Sequence, residues 1–415
     1  MELKRVVVTG LGALTPIGLD LASFWSGLTN GVSGASLITR FDPEQFKCKI
    51  ACELKGYDLQ NYFEKKEGNK LDLFTQYGII AADEAIADSA LLQDAQVDRS
   101  RIGVIWGSGM GGVRSFQDEA MEYQRNGRMP RFSPFLVPRT ITDICAGYIS
   151  IKHGLKGANY VTTAACASSG VAIADAFDAI RLGKAVAVVT GGSEAAVTEI
   201  GIGGFSSMRA LSTRNDDPQT ASRPFDKDRD GFVLGEGAAA LVLEEYEHAR
   251  ARGARIYAEV TGYGLTADAH HITAPHPEGK GAQEAMRLAI EESGMSPNDV
   301  DHINTHGTST PLGDKAETTA IVNLFGDHAA DIAVNSTKSM TGHMLGAAGA
   351  AEATAAILAI FHDIVPPTIN HFTDDEDLPQ LNYTFGTAAH RPVRFALSNA
   401  FGFGGHNVSL AFRKM

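Results

Sequence analysis

Basic residues are outnumbered in this chain. Lys and Arg total 36 against 49 Asp and Glu, for a net charge of −13 over 415 residues. That balance argues against a general nucleic-acid binder, which must meet phosphates with positive charge. It still leaves room for an acidic protein partner, because a local basic patch can work against the global sign. Long apolar runs are also lacking. After Lys4 and Arg5 the first apolar stretch is only Val6–Val8, and turn residues follow, so the start does not read as a secretory signal. Nothing approaches the roughly 18 uninterrupted apolar residues of a membrane span. The Ala-rich run Met344–Phe361 contains Glu352 and Thr354 and is expected as a buried helix. No membrane association is expected, and the default location is the cytoplasm.

Cysteine is sparse, with Cys48, Cys52, Cys145 and Cys166 making up the whole set. Cys48 and Cys52 lie in KCKIACEL, which alternates like a strand. One face would carry both thiols about 13 Å apart, too far for a disulfide. Their spacing does not fit the common zinc pairs either. Reduced, buried thiols are the expectation for Cys48, Cys52 and Cys145. There is no Pro-rich linker, low-complexity tail or heptad run. Tryptophan occurs only 2 times, whereas glycine occurs 44 times. Small residues in place of bulky ones point to closely packed helices and tight strand-to-helix turns.

What is present is an alternation of short apolar strands with longer helical stretches. Strands are expected at 5–10, 101–107, 159–164, 185–192, 301–306 and 332–337, with VSLAF as a final strand. Helices are expected around 71–90, 168–182, 282–293, 314–324 and 344–362. This order predicts α/β layers on a mostly parallel sheet. A coarse echo between RIGVIWGSGMGG and VDHINTHGTST, and between NYVTTAACASSG and IAVNSTKSMTGHMLGAAGA, suggests two related halves. VTGLGALTPIG resembles the start of a dinucleotide-binding loop, but Thr15 stands where the third glycine belongs and Pro16 follows. A plain strand, turn and helix is the better reading.

The chemistry-bearing residues lie at expected strand ends. Cys166 follows an apolar strand and precedes a helix that Gly183 would cap. A thiol facing a helix N-terminus is placed where thiolate is stabilised, and its Ala and Ser neighbours leave room for substrate. On its own, such a cysteine is more often a small buried hydrophobe. His306 follows a strand in a hydroxyl-rich loop, and His343 precedes a helix, five residues after Lys338. Together they would meet Cys166 at the carboxyl ends of the strands, where active sites of layered α/β folds gather. The Gly-rich run LSNAFGFGGHN could supply backbone N–H groups to an oxyanion, or could be an ordinary turn.

TTAACASSG, RALSTRNDDPQTASRPFDKDRDGFVLGEGA, NTHGTSTPLGDKAE, NSTKSMTGHMLGAAGAAEA and SNAFGFGGHN occur in this order. With them the chain resembles the β-ketoacyl synthase family, most of all its elongating II type, over its whole length. The resemblance implies an α/β thiolase fold: two related βαβαβαββ halves in a five-layered α-β-α-β-α core. The halves would divide into 1–255, bearing the nucleophile, and 256–415, bearing the histidines, and the assembly would be a homodimer. It further implies an acyltransferase that elongates fatty acids by decarboxylative condensation. Acyl and malonyl groups would arrive on the phosphopantetheine arm of acyl carrier protein, with no metal or redox cofactor.

By the same resemblance, Cys166 accepts the acyl group, and His306 and His343 complete the Cys-His-His set. The N–H groups of Cys166 and Phe403 hold the oxyanion. Lys338 and Glu352 match a charged pair behind the histidines, compatible equally with positioning or a structural salt bridge. Thr308 and Thr310 match hydroxyls that contact the arm, while Phe403, Asp268 and Thr273 match gating segments. Phe205 and Phe401 are further substrate-binding candidates. Met110 matches the end of the acyl pocket, where relatives often carry Ile. Lys65, Lys66, Lys70 and Arg209 are candidate carrier-docking charges, though single surface cations are often only solvated. A polyketide or aryl-polyene ketosynthase would share the nucleophile and histidines. A non-catalytic chain-length-factor-like subunit would lack the nucleophile, and a cysteine hydrolase would release acid to water.

Overall fold

The structure, a computed structural model, describes residues 3–93 and 97–415. Eleven strands form one continuous hydrogen-bonded sheet. They are β1 Val6–Leu14, β2 Ile102–Gly107, β3 Asn159–Thr162, β4 Ala187–Glu194, β5 Gly237–Glu245 and β6 Ala258–Ala267. The remainder are β7 His302–Asn304, β8 Ala333–Asn335, β9 Asn382–Tyr383, β10 Phe395–Gly402 and β11 His406–Arg413. The order across the sheet is β9-β8-β7-β10-β11-β6-β1-β5-β4-β2-β3.

Six helices cover the sheet: α1 Leu73–Ser89, α2 Ile144–His153, α3 Ser168–Arg181, α4 Lys280–Glu292, α5 Pro311–Phe325 and α6 Ala348–His362. In chain order the elements read βαβαβαββ twice, with β9 as an added edge strand. Each half also lays its strands in the same spatial order of third, second, fourth, fifth and first. Helices α1 and α2 cover the first half, and α4 covers the second with α5 packed beside it in the same apolar cluster. Helices α3 and α6 touch each other and strands of both halves, so they form the middle of five layers.

The sheet is mixed rather than mostly parallel. β2 pairs in parallel with β3 and β4, and β7 with β8 and β10, but β5, β1, β6 and β11 pair with their neighbours antiparallel. Each half closes with two consecutive strands rather than a further helical crossover, and that forces the antiparallel centre.

Strand β1 runs on to Leu14, with every residue buried. It therefore absorbs the glycines that mimic a dinucleotide loop. A Cβ on Gly10 or Gly12 would run into the Ala85 or Ala81 carbonyl of α1, so these glycines let the helix lie close to the strand. The inner helices meet in the same way. A Cβ on Gly349 would stand 2.9 Å from the backbone nitrogen of Gly170. Among the described residues, Leu345–His362 is the one stretch long and apolar enough to cross a membrane, and it lies 89% buried inside the protein. All four cysteines are free and buried.

Candidate active site

The nucleophile candidate sits on a sharp turn. Strand β3 ends at Thr162, and α3 begins at Ser168. Between them Ala165 takes φ +49, a left-handed conformation tolerated by a small side chain. Ser168 braces the turn: its Oγ accepts from the Ala164 N–H at 2.9 Å and donates to the Ala165 carbonyl at 2.6 Å. Cys166 is thereby held just ahead of the helix N-terminus, 7% exposed. Gly402, at the end of β10, closes over it. A Cβ there would lie 2.5 Å from the Ala164 carbonyl and 3.2 Å from the Cys166 nitrogen.

The thiol does not rest as a thiolate. Burial pushes Cys166 up to about 12, outweighing the pull of Lys338 and of the Phe403 N–H, while the Glu194 and Glu352 carboxyls push the same way as burial. The helix terminus anticipated from sequence is present, but desolvation of the sulfur dominates.

His306 follows β7. Its N–H donates to Glu317 Oε1 and that of Gly307 to Oε2, both at 2.8 Å, so one buried carboxylate from α5 sets the loop. Asn399 of β10 donates to the same Oε1 at 3.1 Å. Lys338 Nζ lies 3.3 Å from His306 Nδ1 and is also ion-paired with Glu352 of α6. His343 follows the turn that Lys338 opens. Its N–H donates to the Val233 carbonyl, its carbonyl accepts from the Gly235 N–H, both at 2.8 Å, and the Phe232 ring meets it edge-on.

The two imidazoles stand at 85° with centroids 5.3 Å apart. Burial, then Lys338, holds both well below the usual histidine range, and His343 adds to the effect on His306. Both rings are neutral.

Cys166, His306, His343 and Phe403 line one cavity of about 440 Å³. Thr308, Thr310, Phe205, Phe401, Asp268 and Thr273 line it as well. The Thr308 and Thr310 hydroxyls are 2.9 Å apart. Asp268 latches the loop before α4 to the Gly-rich turn: its carboxylate accepts from Asn407 Nδ2 at 2.8 Å and from the His276 N–H at 3.1 Å. The Gly404 N–H donates to the Ile272 carbonyl at 2.8 Å. The two matched gating segments are thus in direct contact.

Met110 does not line this cavity but packs in the apolar cluster that contains Cys166 and Leu345. Arg209 is exposed at the cavity mouth with φ +55. Lys65 and Lys66 are exposed on the short helix Lys65–Gly68, and Lys70 pairs with Glu67 at 2.6 Å; none of the three lines the cavity. Among the described residues no group of three or more His, Cys, Asp or Glu side chains is disposed to hold a metal ion.

Sequence reasoning passed over Glu317, Asn399 and Glu194. Glu317 sits among Ala316, Ala320 and Ile321 on the buried face of α5, and Glu194 ends the buried strand β4. An acid on an apolar face or at the end of an apolar run is the signal that marks them.

Residues 3–249 match the N-terminal domain model of beta-ketoacyl synthase, and residues 257–372 match the C-terminal domain model. The chain is 49% identical to the 3-oxoacyl-[acyl-carrier-protein] synthase 2 of Synechocystis sp. over 414 residues, covering 100% of this chain and 99% of the relative. It is 48% identical to the protein of that name from Staphylococcus aureus strain N315, covering 99% and 98%. A solved beta-ketoacyl synthase from Burkholderia phymatum STM815 superposes with a TM-score of 0.91 at 35% identity, covering 99% and 100%. A type II polyketide ketosynthase, solved with its acyl carrier protein and a hexaketide, superposes at 0.92 with 31% identity, covering 100% of both chains. Sequence models spanning most of the chain, full-length relatives and the doubled five-layered fold agree: the chain belongs to the beta-ketoacyl synthase family.

Proposed function

We propose that this protein is an elongating condensing enzyme of fatty-acid synthesis, with Cys166 as nucleophile and His306 and His343 as the pair that holds the enolate. The observation that carries the reading is one cavity lined by a thiol and two neutral imidazoles, with Lys338 directed at the back of one of them.

The chemistry follows from the protonation states. An acyl thioester on the carrier's phosphopantetheine arm reaches Cys166. The thiol loses its proton as the sulfur attacks, the carbonyl oxygen gathers charge against the Cys166 and Phe403 N–H groups, and the carrier leaves as its thiol with the proton. Malonyl carrier then binds. Its carboxyl–carbon bond breaks, CO2 departs, and the electron pair becomes an enolate whose oxygen accepts N–H bonds from the histidines. A neutral imidazole can donate from one nitrogen only. An ammonium at Nδ1 leaves the Nε2–H of His306 as that donor. The enolate carbon attacks the acyl carbonyl and expels Cys166 as thiolate, which regains a proton. Loss of CO2 drives the condensation, so this chemistry calls for no metal or redox cofactor. Thr308 and Thr310 would hold the arm, and Phe205, Phe401, Asp268 and Thr273 would shape and gate its path.

Acyl carrier protein is the proposed partner. The names of the 49% and 48% relatives specify it, and Arg209 offers a positive contact at the cavity mouth. Lys65, Lys66 and Lys70 would serve docking only where an assembly brings them beside a mouth. A homodimer fits the open edge of β3 and the exposed Phe116, Phe132, Phe135, Val137 and Ile151. A cytoplasmic location fits four free, buried thiols. A polyketide role is the second reading, favoured by the solved type II polyketide ketosynthase at 31% identity. The 48–49% relatives support the fatty-acid role more strongly.

Intact-protein mass spectrometry tests the proposal. Acyl carrier should add its acyl mass to Cys166, and malonyl carrier should then remove it as a β-ketoacyl product with release of CO2. A folded protein that never acylates overturns the reading, and acylation followed only by free acid would make it a hydrolase.

A further inference from the structure

Glu194 is a buried acid that the condensation chemistry leaves unused. It ends β4 with no exposed surface, and among the described residues no Lys, Arg or His pairs with it. Its partners are all hydrogen-bond donors. Oε2 accepts from the Gly109 N–H at 2.8 Å and the Gly346 N–H at 3.0 Å. Oε1 accepts from the Met110 N–H at 3.0 Å and the Ser108 hydroxyl at 3.3 Å.

These donors come from two stretches far apart in sequence. Ser108–Met110 leaves the end of β2, and Gly346 lies in the turn after His343. The fit allows no side chain between them: a Cβ on Gly109 would stand 2.9 Å from Glu194 Oε2, and one on Gly346 would stand 2.7 Å from it. Met110, itself a donor, and Leu345, beside the donor Gly346, pack in the apolar cluster with Cys166, and Leu345 is held at φ +47.

We infer that Glu194 is a positioning residue for chain-length selection: its carboxylate staples the Met110 turn to the Leu345–Gly346 turn and so fixes the apolar wall beyond Cys166. The inference rests on the acyl-enzyme reading above. A carboxylate is the right group for the position because it offers acceptors on both oxygens and carries no hydrogen to repel the N–H donors. An amide of the same shape turns one acceptor into a donor, leaving backbone N–H groups buried without partners. The freed turns then shift the apolar cluster packed around Cys166, Met110 most readily because its side chain is flexible. Burial raises the Glu194 carboxyl to about 7 against the pull of its N–H donors, so the staple weakens as pH falls through neutrality.

The test compares wild type with E194Q, after thermal melting shows that the variant folds. Acylation of Cys166 is timed by intact mass with short- and long-chain acyl carriers. The ratio of long- to short-chain rates should fall about tenfold in E194Q, the scale of a modest misplacement at a reacting site. In parallel, hydrogen exchange at the Gly109, Met110 and Gly346 amides should accelerate. S108A removes one donor and should shift the ratio less in the same direction; it carries the test if E194Q does not fold. An unchanged ratio overturns the role in selection, and unchanged exchange overturns the staple itself. Failure of the wild type to acylate would instead sink the acyl-enzyme reading, and the exchange arm would still judge the staple.

Discussion

Lys338 Nζ lies 3.3 Å from Nδ1 of His306, and the ammonium can only donate there. That contact fixes the tautomer: Nδ1 accepts, and Nε2 carries the hydrogen. Burial depresses both histidines and Lys338 adds to it, so Lys338 reinforces the neutral pair while orienting one of them.

Replacing Lys338 with Met should therefore slow condensation by roughly 10²–10³-fold, the usual scale for a lost oxyanion donor, while Cys166 still acylates. The variant should also lose about 3–5 kcal/mol of stability, because Glu352 is left buried without its partner. In K338M/E352M denaturant unfolding should recover most of that loss, and condensation should stay slow. Recovery of both together would make the pair purely structural.

The Cys166 thiol gives a pH prediction of definite sign. Its value near 12 lies far above neutrality, so the thiolate fraction grows with pH throughout the accessible range. Alkylation of Cys166 by iodoacetamide, followed by peptide mass spectrometry, should rise about tenfold per pH unit between pH 7 and 9. A plateau below pH 8 would instead reveal a resting thiolate.

Several of these residues were legible before the fold was known. Cys166 and His306 follow expected strands, His343 lies a few residues beyond one, and the α/β order puts strand ends on one edge, whereas Phe403 was marked only by the family resemblance. The residues themselves show the doubled topology only as an echo, and its full form came from the family resemblance. Strands β5, β6, β9 and β10 were not anticipated; in β5, GAAALVLEE is buried along nearly its whole length and shows no alternation. The mixed sheet was missed for a related reason, since nothing local in GAAALVLEE or FALSNAFG reports the direction of a neighbouring strand. Glu317 and Glu194 act through contacts to backbone N–H groups many residues away, and sequence spacing carries no trace of those.

His302 should make the fold sensitive to acid. It is fully buried, its Nδ1 faces the Ala333 carbonyl at 2.9 Å, and burial lowers it to about 4. A depressed histidine lets the unfolded chain bind the extra proton first, so its stabilising effect is intact above about pH 6.5 and is lost as pH falls towards 4. The shift corresponds to about 3 kcal/mol. Urea unfolding of wild type and H302Q at pH 7.5 and pH 4.5 should show wild type losing most of that amount relative to the variant. Parallel losses would refute the assignment.

Carrier docking at Arg209 predicts a separable kinetic effect. R209E should raise the KM for acyl carrier by roughly tenfold or more and weaken its salt dependence, with kcat nearly unchanged, because the residue is exposed at the mouth and touches none of the reacting groups. Equal losses in kcat and kcat/KM would place it in the chemistry instead.

The middle layer carries a consequence for how the molecule can come apart. Helix α3 belongs by sequence to the first half yet packs on β6 and β11, and α6 belongs to the second yet packs on β4 and β5. Each half lends the other its innermost wall. Cut between the halves, each piece would expose the strands its counterpart had covered, so neither is an autonomous folding unit. Calorimetry should record one cooperative transition for the whole chain, and separately expressed halves should gain order only when mixed.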